Sequence, residues 1–182
     1  MNFYHEYFSS IANCIRSIEQ DPLTLSGATQ LLYQTRKRGG KVVLVGNGGS
    51  AAMASHVSVD LVKVAGLRAV NFNEADLITC FANDYGYEHW VEKALEFYAD
   101  PNDLIVLISS SGKSANIVNG AIKAKQMNLA LVTFSGFAAD NPLRKLGDIN
   151  FWANSQAYNV VEMTHHVWLV ALVDKLAADR DD

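Results

Sequence analysis

The sequence predicts an α/β fold: a doubly wound, five-stranded parallel sheet flanked by helices, with an N-terminal helical pair. Three observations predict it. From Lys41 onward, short aliphatic and β-branched runs alternate with longer helical stretches. The runs are apolar throughout rather than alternating, as in strands covered on both faces. Three of them end in Gly/Ser loops: VVLVG runs into NGGSA, IVLIS into SSGKS, and LVTF into SGF. Ligands in open parallel sheets bind beyond such strand ends.

The elements follow in order. Residues 2–20 carry Phe3, Tyr7, Ile11, Ile15 and Ile18 at spacings of three and four, the period of an amphipathic helix. A second helix is expected over 23–38. It opens after Asp21-Pro22 and stops at Gly39-Gly40, with basic residues in its last turn. KVVLVG is the first strand, followed by a helix over about 49–64. LRAVNF is the second, with a helical region over about 74–98. DLIVLIS is the third, followed by a helix near 113–126. LALVTFS and DINFWA are the fourth and fifth, and a long helix covers about 158–179. Right-handed crossovers bring every strand's C-terminal end to one edge of the sheet.

The 182 residues suit one domain, 1–182: N-terminal helices over 1–40 with a packing or oligomerisation role, and a ligand-binding core over 41–182. Hydrophobic residues at 49% supply a sizeable core, which excludes a disordered chain. A net charge of −4 argues against a general nucleic-acid or membrane-surface binder. No apolar run approaches the roughly 18–20 residues of a membrane span. The N-terminus has no secretory signal pattern, so a cytoplasmic protein is expected. Cys14 and Cys80 stand far apart among apolar residues and are expected to be two buried thiols, not a disulfide.

The glycine loops and serines point to a phosphate. Gly46-Asn47-Gly48-Gly49-Ser50-Ala51 fits G-x-G-x-x-A, with Glu74 or Asp76 at a plausible distance for a ribose contact, but alone this is a weak dinucleotide signal. Gly112-Lys113-Ser114 resembles the end of a P-loop, yet the required earlier glycine is Leu107. The second loop discriminates better. Ser109, Ser110, Ser111 and Ser114 place four hydroxyls beside Lys113 and the free amides of a helix start, which suits a compact phosphate. No nucleotide cofactor is expected.

GNGGSAAMASH, FANDYGYE and ISSSGKSAN, in this order, resemble the sugar isomerase (SIS) domain family in its phosphoheptose isomerase branch. The resemblance implies a sugar-phosphate substrate and a homotetramer with active sites at subunit interfaces. It implies substrate contacts from Asn47, Gly48, Gly49 and Ser50, from Asn83 and Asp84, and from the phosphate-holding Ser109, Ser110, Ser111 and Ser114. It also implies ketose-phosphate to aldose-phosphate isomerisation, of sedoheptulose 7-phosphate to a heptose 7-phosphate, for precursors of lipopolysaccharide or capsule.

The family's zinc ligands are a His-x-x-x-Glu pair followed by Gln and His on the last helix. Here the first pair becomes His56 and Asp60, four apart on one helix face. Glu162 falls on the Gln position, where it also faces substrate, and Val170 on the catalytic His. Val170 neither binds metal nor moves a proton. His166 lies midway between Glu162 and Val170 on the same helical stripe, and His165 is three residues after Glu162. His56, Asp60, Glu162 and His166 are therefore the candidate ligands for zinc or another divalent metal. Asp60, His165 and His166 are the candidate acid–base residues. Asn159 stands where the family has an aspartate near the sugar. A second class of function follows from Val170: a non-catalytic SIS module that binds a phosphosugar or a protein, as the family's replication-initiator-associating members do.

Overall fold

The computed structural model describes residues 2–179. Two helices come first, α1 (Phe3–Arg16) and α2 (Pro22–Lys37), joined by a 3-10 turn over Ser17–Gln20. Asp21 caps α2: its carboxylate accepts from Thr24 N at 3.3 Å, and Pro22 takes the first helical position. Then β1 (Val42–Gly46), α3 (Gly49–Lys63), β2 (Ala69–Asn71), α4 (Ala75–Tyr85), α5 (Trp90–Tyr98), β3 (Leu104–Ser109), α6 (Ala115–Gln126), β4 (Ala130–Gly136), β5 (Ile149–Ala153) and α7 (Tyr158–Ala178) follow.

The five strands form one parallel sheet in the order β2-β1-β3-β4-β5. The chain reverses its direction of winding between β1 and β3. At that switch Gly46 pairs with Ile108, so the glycine loop after β1 and the serine loop after β3 emerge side by side.

Side chains of each strand alternate between two cores. Val42, Leu44, Leu104, Val106, Val132 and Phe134 face α1, α2, α3 and α7. Val43, Val45, Ile105, Leu107 and Leu131 face α5 and α6. The N-terminal helices thus share a core with α3 and α7, through Cys14, Ala28 and Leu32.

Two expectations need correction. The helical region expected over 74–98 is present as two helices, α4 and α5. Gly86, at φ +90°, ends α4 in a conformation that L side chains rarely adopt. The second strand is shorter than LRAVNF and spans Ala69–Asn71. Cys80 is exposed, whereas Cys14 is buried as expected. The reason is local: α4 has no fully buried residue, and its apolar side chains only lean on the second core.

The entrance to β1 and β3 is fixed by a buried carboxylate. Asp103, 2% exposed, accepts from Lys41 N at 2.9 Å, from Lys41 Nζ at 2.6 Å and from Asp100 N at 2.8 Å. These bonds set the register from which both strands reach the ligand edge. Asp103→Ala leaves these donors without their shared acceptor and is expected to destabilise the chain by about 3 kcal/mol in urea unfolding.

Candidate functional site

At the β1/β3 switch lies a pocket of about 130 Å³ lined by Asn47, Ser50, Ile108, Ser109, Ser110, Ser111, Ser114, Tyr158 and Glu162. Seven of these nine are residues singled out from the sequence. Ser109 and Ser114 share a hydrogen bond of 3.0 Å between their hydroxyls, and Ser111 Oγ accepts from Lys113 N at 3.2 Å. Ser110 differs from its neighbours. It is 6% exposed, and its Oγ is buried with no hydrogen-bond partner among the described residues. A buried hydroxyl left unpaired is costly, so its position in the lining of a pocket points to a ligand that supplies the partner.

The glycine loop is shaped by close approach. A Cβ on Gly46 would stand 2.6 Å from Ser50 Cβ. A Cβ on Gly49 would collide with the Glu162 carboxylate and lie 2.8 Å from its Cδ. Gly48, at φ +55°, precedes α3 in the left-handed region. Gly49 thus leaves room for the Glu162 carboxylate, which lines the pocket beside the glycine loop.

Asn47 is held by a reciprocal amide pair. Its Nδ2 donates to Asn116 Oδ1 at 3.0 Å, and Asn116 Nδ2 donates to Asn47 Oδ1 at 2.9 Å. Tyr87 OH donates to the same Oδ1 at 3.1 Å. Asn116, 2% exposed, was not marked by sequence reasoning, although it ends the ISSSGKSAN motif. Tyr158, the first residue of α7, also lines the pocket and was not singled out from the sequence.

Farther along α3 and α7 a second group assembles. His56 Nδ1 lies 2.8 Å from His166 Nε2, and His56 Nε2 lies 3.0 Å from Asp60 Oδ2. The i,i+4 spacing of His56 and Asp60 delivers the expected shared face. With Asp60 ionised, the network orders the protons. His56 donates Nε2–H to the carboxylate, His166 donates Nε2–H to His56 Nδ1, and the His166 Nδ1 lone pair is left over. His166 is held below the usual histidine pKa, first by desolvation and then by repulsion from His56, with Asp60 opposing. It is therefore a neutral imidazole at neutral pH.

Other candidates are placed elsewhere. His165, expected as an acid–base residue, is fully buried in the core and hydrogen-bonds the Ser135 carbonyl from Nε2 at 2.9 Å. Burial pushes its pKa down to about 4, against the raising effect of the Ser135 carbonyl. With no exposed surface it has no path to a substrate, and the role expected for it is corrected on that ground. Asn83 and Asp84 are exposed at the end of α4, bonded to each other at 2.9 Å, and do not line the pocket. Asn159 is exposed and does not line it either. Lys113 is exposed outside the lining. Val170 packs against the first core.

The expected metal set is not gathered. Among the described residues, no three His, Cys, Asp or Glu side chains form a group able to hold a metal ion. Both ring nitrogens of His56 are engaged, by His166 and Asp60, and Glu162 stands instead over the glycine loop. As arranged, these side chains form a hydrogen-bonded chain and do not fit a zinc cage.

The profile of the SIS domain matches residues 6–136. The chain belongs to the SIS domain family. A phosphoheptose isomerase of Campylobacter jejuni serotype O:6 is 33% identical over 147 residues, 74% of this chain and 77% of that relative. A phosphoheptose isomerase of Roseiflexus is 34% identical over 127 residues, 66% of this chain; the chain spans only 64% of that relative's length. Among solved structures, phosphoheptose isomerase from Neisseria gonorrhoeae superposes with a TM-score of 0.87 at 24% identity, covering 95% of this chain and 97% of that one. The SIS fold, with its N-terminal helices, is thereby shared.

The buried His165 of this SIS domain has a consequence for stability. Between its unfolded pKa near 6.5 and its folded value of about 4, the unfolded chain binds more protons than the folded one. Stability is therefore lost as pH falls through that window, by up to about 3 kcal/mol. Urea unfolding from pH 7 to pH 4 is expected to show this slope, and His165→Gln to flatten it.

Proposed function

We propose that this SIS-family chain is a phosphosugar isomerase that converts a ketose phosphate to an aldose phosphate. The observation that carries the reading is the unpaired Ser110 hydroxyl, buried in a pocket lined by four other serines. The phosphate sits on Ser109, Ser110, Ser111 and Ser114, at the start of α6, with the start of α3 beside it. Free N–H groups at both helix starts add donors and positive potential. Asn47, Ser50 and Glu162 face the sugar hydroxyls.

The chemistry belongs to the Asp60–His56–His166 chain. His166 is one helical turn beyond Glu162, about 6 Å along α7 at 1.5 Å per residue. A sugar anchored by its phosphate and extended past Glu162 directs its carbonyl end there. His166 Nδ1 takes the C1 proton of the ketose, and the C–H electron pair becomes the C1=C2 bond as the C2 oxygen is protonated. Return of a proton to C2 and loss of the O1 proton give the aldehyde at C1. Asp60 holds His56 in the tautomer that accepts from His166 and stabilises the imidazolium formed.

The relatives' name, phosphoheptose isomerase, supports a heptose phosphate as the sugar; sedoheptulose 7-phosphate as the ketose, the cytoplasm as the compartment and surface-polysaccharide precursors as the destination rest on the sequence resemblance. Phe3, Tyr4 and Phe8 of α1 are each more than 60% exposed. That exposed aromatic face supports a homo-oligomer, a tetramer on the family resemblance, built through residues 1–40. Packing of Val170 against the core, where the resemblance puts a catalytic histidine, favours the second reading, a phosphosugar-binding SIS module without turnover.

One experiment separates the two. Incubation with ketose and aldose phosphates in deuterated water is expected to place deuterium at a non-exchangeable C–H, read by mass spectrometry. Asp60→Asn is expected to slow exchange about a hundredfold without loss of binding. Ser110→Ala is expected to weaken sugar-phosphate binding about tenfold by calorimetry. Binding without any deuterium uptake selects the non-catalytic module.

A further inference from the structure

The loop after β4 supplies nothing to the pocket lining, yet it is bound tightly to the serine loop. Gly136 N donates to Ser110 O at 2.9 Å, and Leu143 N donates to Gly112 O at 3.1 Å. Between these two bonds sits Asn141, 1% exposed. Its Nδ2 donates to Ser135 Oγ at 3.1 Å, Gly136 O at 3.2 Å and Ala138 O at 2.8 Å, and its Oδ1 accepts from Arg144 N at 2.9 Å. Every polar atom of the side chain is thus engaged, and the amide is fixed in one orientation.

Gly112 lies directly against that amide. It has φ +66°, and a Cβ built on it would collide with Asn141 Oδ1 and stand 2.8 Å from Asn141 Cβ. Gly112 is also the turn of the serine loop, since its N–H donates to Ser109 O at 2.9 Å. The spacing between Ser109–Ser111 on one side of the turn and Ser114 on the other is therefore set by what lies behind Gly112.

We propose that Asn141 is a positioning residue for the phosphate: a rigid amide strut behind Gly112 that sets the aperture of the serine cradle without touching the ligand. The inference rests on the reading of Ser109–Ser114 as the phosphate site. It adds a residue outside every motif by which that site was found. Two bonds tie the loops together independently of Asn141, so loss of the strut relaxes the turn without detaching the loop.

The test is a double-mutant cycle read by calorimetry with inorganic phosphate, on folded protein checked by circular dichroism. Asn141→Ala and Gly112→Ala are each expected to weaken phosphate binding about tenfold. The double variant is expected to lose less than the sum of the two single losses, because the new methyl group occupies the space the amide vacates and only the strain of a side chain at φ +66° remains. Asn141→Ser serves the same cycle if the alanine variant does not fold. Unchanged phosphate affinity in folded Asn141 variants, or fully additive losses in the double variant, overturns the strut while leaving the cradle standing. No phosphate binding by the wild-type chain overturns both. A residue that served the fold alone would lower the unfolding midpoint and leave the affinity of the folded protein unmoved.

Discussion

The proposed site depends on the packing of α3 against α7, which at the ligand edge places the Glu162 carboxylate against Gly49. Any side chain at position 49 would run into the Glu162 carboxylate. With glycine there, α3 and α7 begin side by side at the ligand edge and run away from it in the same direction, meeting again at His56 and His166. Two distances follow from how these helices pack. The first is the width of the pocket at the strand tips, where Glu162 forms part of the lining. The second is the span from that pocket to the imidazole pair. A substrate that carries a phosphate at one end and reacts at the other depends on their ratio, because misplacement of about 1 Å costs roughly a hundredfold in rate.

The pocket proposed for the phosphate has no cation in its lining. Its lining holds five serine hydroxyls, an asparagine, a tyrosine and a carboxylate, and Lys113 stays outside. Hydrogen bonds to a charged group contribute about 1.5–3 kcal/mol each, against about 0.3–1 kcal/mol for a charge at an exposed helix end. Hydroxyls and amides therefore dominate, and their placement matters more than net charge. The same reasoning orders the ligand. Glu162 repels a phosphate, so the phosphate belongs on the serine side and the carboxylate on the polyol side, where it accepts from sugar hydroxyls.

Much of this was legible in the chain. Apolar runs ending in Gly/Ser loops gave the parallel sheet and its ligand edge, because strand burial and glycine loops leave local signatures. The N-terminal helices were legible from their period and caps, and the SIS motifs carried the family. What failed to show depended on tertiary context. Cys80 sits in an apolar stretch, yet α4 only leans on the core and leaves the thiol exposed. His165 and His166 are adjacent in sequence, and the choice between them turns on about 100° of helix rotation. The first enters the core under β4, while the second faces α3. Asn116 and Asn141 act through partners 69 residues distant or in another loop, which no local pattern announces. The expected metal ligands illustrate the same limit. Spacing put His56 and Asp60 on one helix face and Glu162 and His166 on another helix, and side-chain pairing made His56 a partner of His166 and Asp60.

The central claim is that strand-tip hydroxyls hold the phosphate while the carbonyl end of the sugar reaches the His166–His56–Asp60 chain. A crystal structure of the chain soaked with sedoheptulose 7-phosphate tests it most directly. The account predicts a phosphate oxygen within hydrogen-bond distance of Ser110 Oγ, and C1 and C2 beside His166 Nδ1. A sugar bound with its phosphate away from Ser109–Ser114, or with its carbonyl end turned from α3 and α7, would contradict it.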